Sequence, residues 1–167
     1  KYFNIISKNR KKFWNYSSGY INRRLSYLKV GVIGLGRIGQ SFAKRANSLG
    51  FKIYYYDPYK KKKFKNFKKL NSLENIFKIS DLITLHVPLT EKTNFFITDK
   101  LISKAKKKLI LINTARGGLI RDKTIVRNIK NNKILYYGTD VLETEPIKFK
   151  SQIFNLINNN KFRSRLL

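Results

Sequence analysis

From Lys29 onward the chain settles into a regular rhythm of short apolar runs separated by amphipathic stretches. The runs are Val30–Ile33, Ile53–Tyr56, Leu82–Leu85, Leu109–Ile112 and Ile134–Tyr137. Continuous apolar runs of this length suit strands buried on both faces, as in a parallel sheet. The stretches between them carry helical signals. Ile38, Phe42, Ala46 and Leu49 fall on one helical face, and Ser72–Lys78 opens with a capping-type serine before Leu-Glu-Asn-Ile-Phe. Residues 99–106 and 122–131 complete the predicted helices. Strand alternating with helix predicts an α/β fold, a doubly wound parallel sheet with right-handed crossovers. Residues 1–28 are polar and basic, with Phe3, Ile6, Phe13 and Trp14 as packing candidates, and read as a helical or connecting segment. Residues 29–150 form the sheet domain and 151–167 a C-terminal tail. No internal repeat and no Pro/Gly/Ser-rich linker divides them.

Composition narrows the class. The 167 residues fit one domain with a proper core, and 42% are hydrophobic, so the chain is not a disordered tail. There is no cysteine, which excludes disulfides, thiolate metal sites and a cysteine nucleophile. No apolar run approaches the ~20 residues of a membrane span. The opening KYFNIISKNRKKFW has charge but lacks the apolar core of a secretory signal, so a cytoplasmic protein is expected. There is no methionine, at position 1 or elsewhere, as a fragment of a longer protein would show.

The net charge of +28 has two readings. Basic surfaces attract phosphates by counterion release, which points to nucleic acid. Biased composition gives the same total, because Lys, Asn, Ile, Phe and Tyr are all abundant and all have A- or T-rich codons. The lysines are spread along the whole chain, which favours bias and leaves nucleic acid only as a non-specific, salt-sensitive partner. The densest run, KKKKFKNFKK at Lys60–Lys69, reads as a solvated loop or helix face.

Four segments carry chemistry. Gly34-Leu35-Gly36-Arg37-Ile38-Gly39 fits G-x-G-x-x-G between the strand Lys29–Ile33 and an amphipathic helix, and the second strand ends at Asp57, eighteen residues beyond Gly39. Gly34 permits the tight turn, Gly36 lets backbone approach a pyrophosphate, and Gly39 allows helix to pack closely on strand. The helix N-terminus offers free N–H groups and a positive dipole to the phosphates. Asp57 can accept from both ribose hydroxyls and would repel a 2′-phosphate, so NAD is the expected cofactor. In the second segment, SDLITLHVPLTEKT at Ser80–Thr93, a buried strand runs into a loop at the sheet's carboxyl edge, and Pro88 ends the strand. His86, the only histidine, reads as a loop residue packed near the cofactor in preference to an acid–base group; with no partner His or Cys, no metal site is expected. In the third, LILINTARGG at Leu109–Gly118, a strand delivers Arg116 to the same edge, where its fork matches a carboxylate. The fourth, GTDVLETEP at Gly138–Pro146, carries Asp140, Glu143 and Glu145 beyond a last strand.

With these motifs in this order, the sequence resembles the NAD-binding domain of the D-2-hydroxyacid dehydrogenase family from about Leu28 to Pro146, most closely its phosphoglycerate dehydrogenase and glyoxylate/hydroxypyruvate reductase types. The resemblance implies an NAD-dependent oxidoreductase acting on a D-2-hydroxy or 2-keto acid, usually a homodimer through the nucleotide domain. It implies backbone contacts from Gly36, Arg37 and Ile38 to the pyrophosphate, and the Asp57 side chain holding the adenosine ribose. Val87, Pro88 and Thr93 would line the adenine and ribose side, and Thr114, Ala115 and Asp140 the nicotinamide end. Arg116 would be the catalytic arginine, and Glu145 the carboxylate that orients the family's catalytic histidine. In the family that histidine follows the EP segment and would fall here near Arg163–Ser164, where there is no histidine. The separate substrate domain also has no counterpart in this stretch. The expectations are therefore a fragment or truncated form of such an enzyme or, alternatively, a catalytically inactive NAD(H)-binding protein.

Overall fold

A computed structural model describes residues 24–61, 64–105, 108–149, 151–159, 162, 165 and 166. Phe3, Ile6, Phe13 and Trp14 lie outside the described residues. Six strands form one sheet: β1 Lys29–Ile33, β2 Lys52–Tyr56, β3 Phe67–Lys69, β4 Leu82–Leu85, β5 Leu109–Asn113 and β6 Ile134–Thr139. Their order is β3-β2-β1-β4-β5-β6, and every pairing is parallel. Among the described residues five α-helices connect or flank them: α1 Arg37–Ser48, α2 Leu73–Ile79, α3 Asp99–Ser103, α4 Asp122–Lys130 and α5 Gln152–Ile157.

This order reverses direction between β1 and β4. Sequence runs outward through β2 and β3 on one side and through β5 and β6 on the other. The connections leaving β1 and β4 therefore diverge and open a crevice at the strands' carboxyl ends, where such sheets take ligands. Burial follows position in the sheet. Apart from partly exposed leading residues, β1 and β4 are buried continuously, as their apolar runs predict. The flanking strands β2 and β5 alternate instead, because they are covered less completely on one face. Successive side chains of a strand point to opposite faces, and β1 divides accordingly. Val30 and Val32 join a cluster with Ala43 and Ala46 of α1, whereas Ile33 joins a larger cluster with Phe77, Ile102, Ile125 and Ile129.

Three sequence expectations need correction. The Lys60–Lys69 run is not wholly solvated loop or helix face: it closes in the short edge strand β3, held by Phe67 stacking on Phe64 and by pairing with β2. The core face of α1 is Gly39, Ala43 and Ala46 with Phe42 partly buried, while Ile38 and Leu49 are 73% and 64% exposed. Small residues at that spacing bring the helix close to β1, which rotates Ile38 toward the crevice mouth. The segment beyond 150, read as a tail, contributes α5, and its Ile153 and Leu156 are buried in the larger cluster. Among the described residues no helix is long and apolar enough to cross a membrane.

Candidate functional site

The turn after β1 is fixed by backbone contacts. Gly34 has φ +88°, and a Cβ there would stand 2.5 Å from the His86 carbonyl oxygen. A Cβ on Gly39 would stand 2.2 Å from the Gly34 carbonyl oxygen. Both positions therefore exclude a side chain for reasons internal to the chain. Gly36 differs: a Cβ there would meet nothing within 4 Å, and its backbone is extended. The open space in front of Gly36 is what an approaching pyrophosphate requires.

The helix that follows is open at its N-terminus. α2, α3 and α5 are capped by Ser72, Thr98 and Ser151, whose hydroxyls accept from the third residue beyond. α4 receives a carboxylate from elsewhere in the chain, as Glu143 Oε2 accepts from Asp122 N at 2.7 Å. α1 has Gly36 at its N-cap and no side-chain cap, so its first N–H groups and dipole are available to an anion. Asp57 closes the other side of the turn. Its Oδ2 accepts from Leu35 N at 2.8 Å and its Oδ1 from Tyr59 N at 2.9 Å. A carboxylate has about four acceptor sites, so Asp57 braces the turn and still has capacity for ribose hydroxyls.

The loop after β4 supplies the facing wall. Thr93 Oγ1 donates toward Pro88 O at 2.6 Å and accepts from Thr90 N at 2.8 Å, pinning the loop that Val87 and Pro88 lead. His86 is half-buried, with its ring 5.5 Å from that of Phe42 and Nε2 3.1 Å from Thr84 Oγ1. Burial pushes its pKa below the usual histidine value.

Arg116 reaches the crevice by way of a buried amide. Asn113 ends β5 fully enclosed; its Oδ1 accepts from Ala115 N at 3.1 Å and its Nδ2 donates to Arg116 O at 3.0 Å. The Arg116 guanidinium is exposed and donates to Ala115 O at 2.6 Å. Thr139, at the end of β6, brings its Oγ1 to 2.9 Å from Asn113 O and accepts from Val141 N at 3.1 Å, so it ties the two loops and sets the position of exposed Asp140. Gly117 completes the junction, since a Cβ there would stand 1.7 Å from Leu142 O. Glu145 Oε1 in turn accepts from Leu142 N at 2.7 Å. Arg116 and Glu145 are thus carried by two loops in backbone contact.

These elements enclose a cleft of about 200 Å³ lined by Ile38, His86, Val87, Pro88, Thr114, Ala115 and Arg116. Gly36, Arg37 and Asp57 stand at the glycine turn, Thr93 inside its loop, and Asp140 and Glu145 on the loop against Gly117; none of these six lines the cleft itself. A wider groove of about 550 Å³ runs beside β2 and β3, but none of the four motifs' catalytic candidates borders it.

A sequence model of the D-isomer specific 2-hydroxyacid dehydrogenase NAD-binding domain matches residues 2–160. The chain belongs to this family. It is 37% identical over 142 residues to 2-hydroxyacid dehydrogenase A of Aspergillus oryzae, covering 84% of this chain and 41% of that protein. It is 44% identical over 117 residues to hydroxypyruvate reductase of Thermotoga maritima, covering 70% of this chain and 38% of that protein. Among solved structures, D-lactate dehydrogenase of Aquifex aeolicus in complex with NAD and lactic acid superposes with a TM-score of 0.81 at 31% identity, over 98% of this chain and 52% of that one. The chain therefore spans about half or less of the length of these relatives.

The family's NAD-binding domain explains why the turn at Gly36 is open and the head of α1 uncapped. Sequence reading missed three of its supporting residues here. Asn113, Gly117 and Thr139 sit inside recognised motifs; the roles of Gly117 and Thr139 come from contacts between loops, and that of Asn113 from bonds to residues two and three places along. Glu143 carried a signal, an acid beside two others in an acid-poor chain, and its structural part is to cap α4.

Proposed function

We propose that this chain is the cofactor-binding part of a longer NAD-dependent oxidoreductase that interconverts a D-2-hydroxy acid and its 2-keto acid. The observation that carries the reading is Arg116. A fully buried asparagine presents it at the cleft, beside the Thr114 and Ala115 positions expected at the nicotinamide end. NAD when bound supplies or accepts the hydride. The uncapped N–H groups at Gly36–Ile38 would hold its pyrophosphate and Asp57 a ribose. Val87, Pro88 and Thr93 would line the adenosine side, and Thr114, Ala115 and Asp140 the nicotinamide side. The Arg116 fork would leave Ala115 O to grip the substrate's carboxylate and polarise its carbonyl. Glu145 would orient the histidine that acts as general acid and base in this family. A homodimer in the cytoplasm accompanies this reading.

The test is NADH oxidation, followed by absorbance, with glyoxylate, hydroxypyruvate and 3-phosphohydroxypyruvate. A version spanning the relatives' full length is expected to turn over at least one of them; no turnover with any would overturn the enzyme reading. A second reading, an NAD(H)-binding protein without turnover, draws on one observation: the sequence after Glu145 holds no histidine. Calorimetric titration showing NADH binding, together with no turnover, would decide for it.

A further inference from the structure

We propose that His86 is a positioning residue of the cofactor site that takes up a proton when the dinucleotide binds. The inference rests on NAD binding at the glycine turn. His86 forms the floor of that turn. Its N–H donates to Ile33 O at 2.7 Å, its carbonyl oxygen bars a Cβ from Gly34, and its own Cβ lies 3.4 Å from where a Cβ on Gly39 would stand. The ring is wedged against Phe42 of α1, with Nε2 committed to buried Thr84. Its other nitrogen, Nδ1, has no hydrogen-bond partner among the described residues. His86 nevertheless lines the cleft. A histidine kept only to fill space would not need one nitrogen fixed and the other left open beside a ligand cleft.

Electrostatics gives the coupling its sign. Charged groups on the elements around His86 are Arg37, Lys44 and Arg45 on α1, Asp57 after β2, Asp81 before β4, Glu91 and Lys92 farther along its loop, and Arg116 after β5. Of these, only Arg116 lines the cleft with it, and the positive end of α1 opens on the same turn. Burial disfavours a proton on the ring in the free protein. A pyrophosphate seated on the Gly34–Gly39 turn brings negative charge and reverses the balance. Binding then raises the proton affinity of His86, and by reciprocity a protonated His86 binds the dinucleotide more tightly.

Because His86 is the only histidine, its ring Cε1–H resonance needs no assignment. Its titration would be followed by NMR, free and saturated with ADP-ribose, which carries the pyrophosphate and both riboses without the charged nicotinamide. The expected result is an upward move of the midpoint on saturation. Each unit of that move tightens binding about tenfold at pH values below both midpoints. An unchanged or lowered midpoint overturns the proposal. Calorimetry in buffers of different ionisation enthalpy should count a proton taken up near the midpoint. In His86→Gln, whose amide can keep the Thr84 contact but cannot titrate, uptake should vanish while binding at about pH 8 persists. Uptake undiminished in His86→Gln also overturns it. No saturable binding of either ADP-ribose or NADH at any pH defeats the cofactor reading itself, a different failure from binding without proton uptake.

Discussion

Two regions meet at the crevice, and they are held together differently. The phosphate side, Gly34–Asp57, is one continuous stretch of chain. Most of its bracing lies within that stretch, with His86 beneath it: Gly39 against Gly34, Asp57 against Leu35, Gln40 Nε2 donating to Leu35 O at 2.9 Å. The substrate side is assembled from the ends of two strands, 113–119 and 139–145, and depends on contacts between them: Thr139 with Asn113, Leu142 against Gly117. The first region is a preformed cradle. The second holds the two proposed catalytic side chains, Arg116 and Glu145, each occupied by its own loop's backbone and not paired with the other. On the proposed reading, a dinucleotide would meet a site that is already shaped, whereas substrate would have to draw Arg116 away from Ala115 O.

The largest effects should separate ligand from fold on the phosphate side. Gly39→Ala forces a Cβ into the Gly34 carbonyl, so both should suffer: stability by about 1–3 kcal/mol and NADH affinity by about a hundredfold, or ~2.7 kcal/mol. Gly36→Ala meets no atom of the chain, so its unfolding midpoint should stay within about 0.5 kcal/mol of the original, while NADH affinity falls about tenfold or more. Equal losses of stability in the two variants, by denaturant unfolding, would break the distinction between them.

On the substrate side the order of effects should reverse. Asn113→Ala strands the Ala115 N–H and leaves the Arg116 carbonyl with Leu119 N as its donor, and Gly117→Ala drives a Cβ into Leu142 O. Each should cost about 1–3 kcal/mol of stability, with NADH affinity changing less than in Gly36→Ala. Urea unfolding and fluorescence titration of NADH on the same variants check this. If Asn113→Ala abolished cofactor binding as thoroughly as Gly39→Ala, the two regions would be one unit.

A smaller effect comes from His86, which lies between the regions. Burial lowers its folded-state pKa, so below the ordinary value of about 6.5 the unfolded chain binds the proton first. Stability from this group is therefore complete above that value and is lost as pH falls through it toward the folded value. Unfolding curves of the free protein on either side of about pH 6.5 should show this slope, and His86→Gln should flatten it. The smallest effect lies away from the crevice. Ser80 Oγ is buried with no hydrogen-bond partner among the described residues and sits where a Cβ on Gly31 would stand 2.5 Å away. Ser80→Ala removes that stranded hydroxyl and should stabilise the fold by up to about 1 kcal/mol, with no change in NADH affinity.

Legibility follows the same division. The strands β1, β2, β4, β5 and β6 were readable because apolar runs of strand length, separated by helix signals, have few other uses. β3 was not, because Phe67 is embedded among lysines, and only the aromatic stack with Phe64 and the edge of β2 make it a strand. The buried face of α1 was partly misjudged: Phe42 and Ala46 belong to it, but Gly39 and Ala43 were passed over for the larger Ile38 and Leu49. Ile38 and Leu49 look like core, yet Gly39, Ala43 and Ala46 make the contact.

By itself the sequence determined the alternation of elements, the glycine turn and its acid at Asp57, and the order of the four motifs. These are set by periodicity and by residues acting on near neighbours, and both are written along the chain. Tertiary structure alone decided that Thr139 ties its loop to Asn113, that Gly117 admits Leu142, that Glu143 caps α4, and that His86 floors the cofactor turn. Those roles belong to pairs of residues brought together by parallel strand pairing. No spacing rule encodes them, because their separation is fixed by the width of the sheet and not by the length of chain between them.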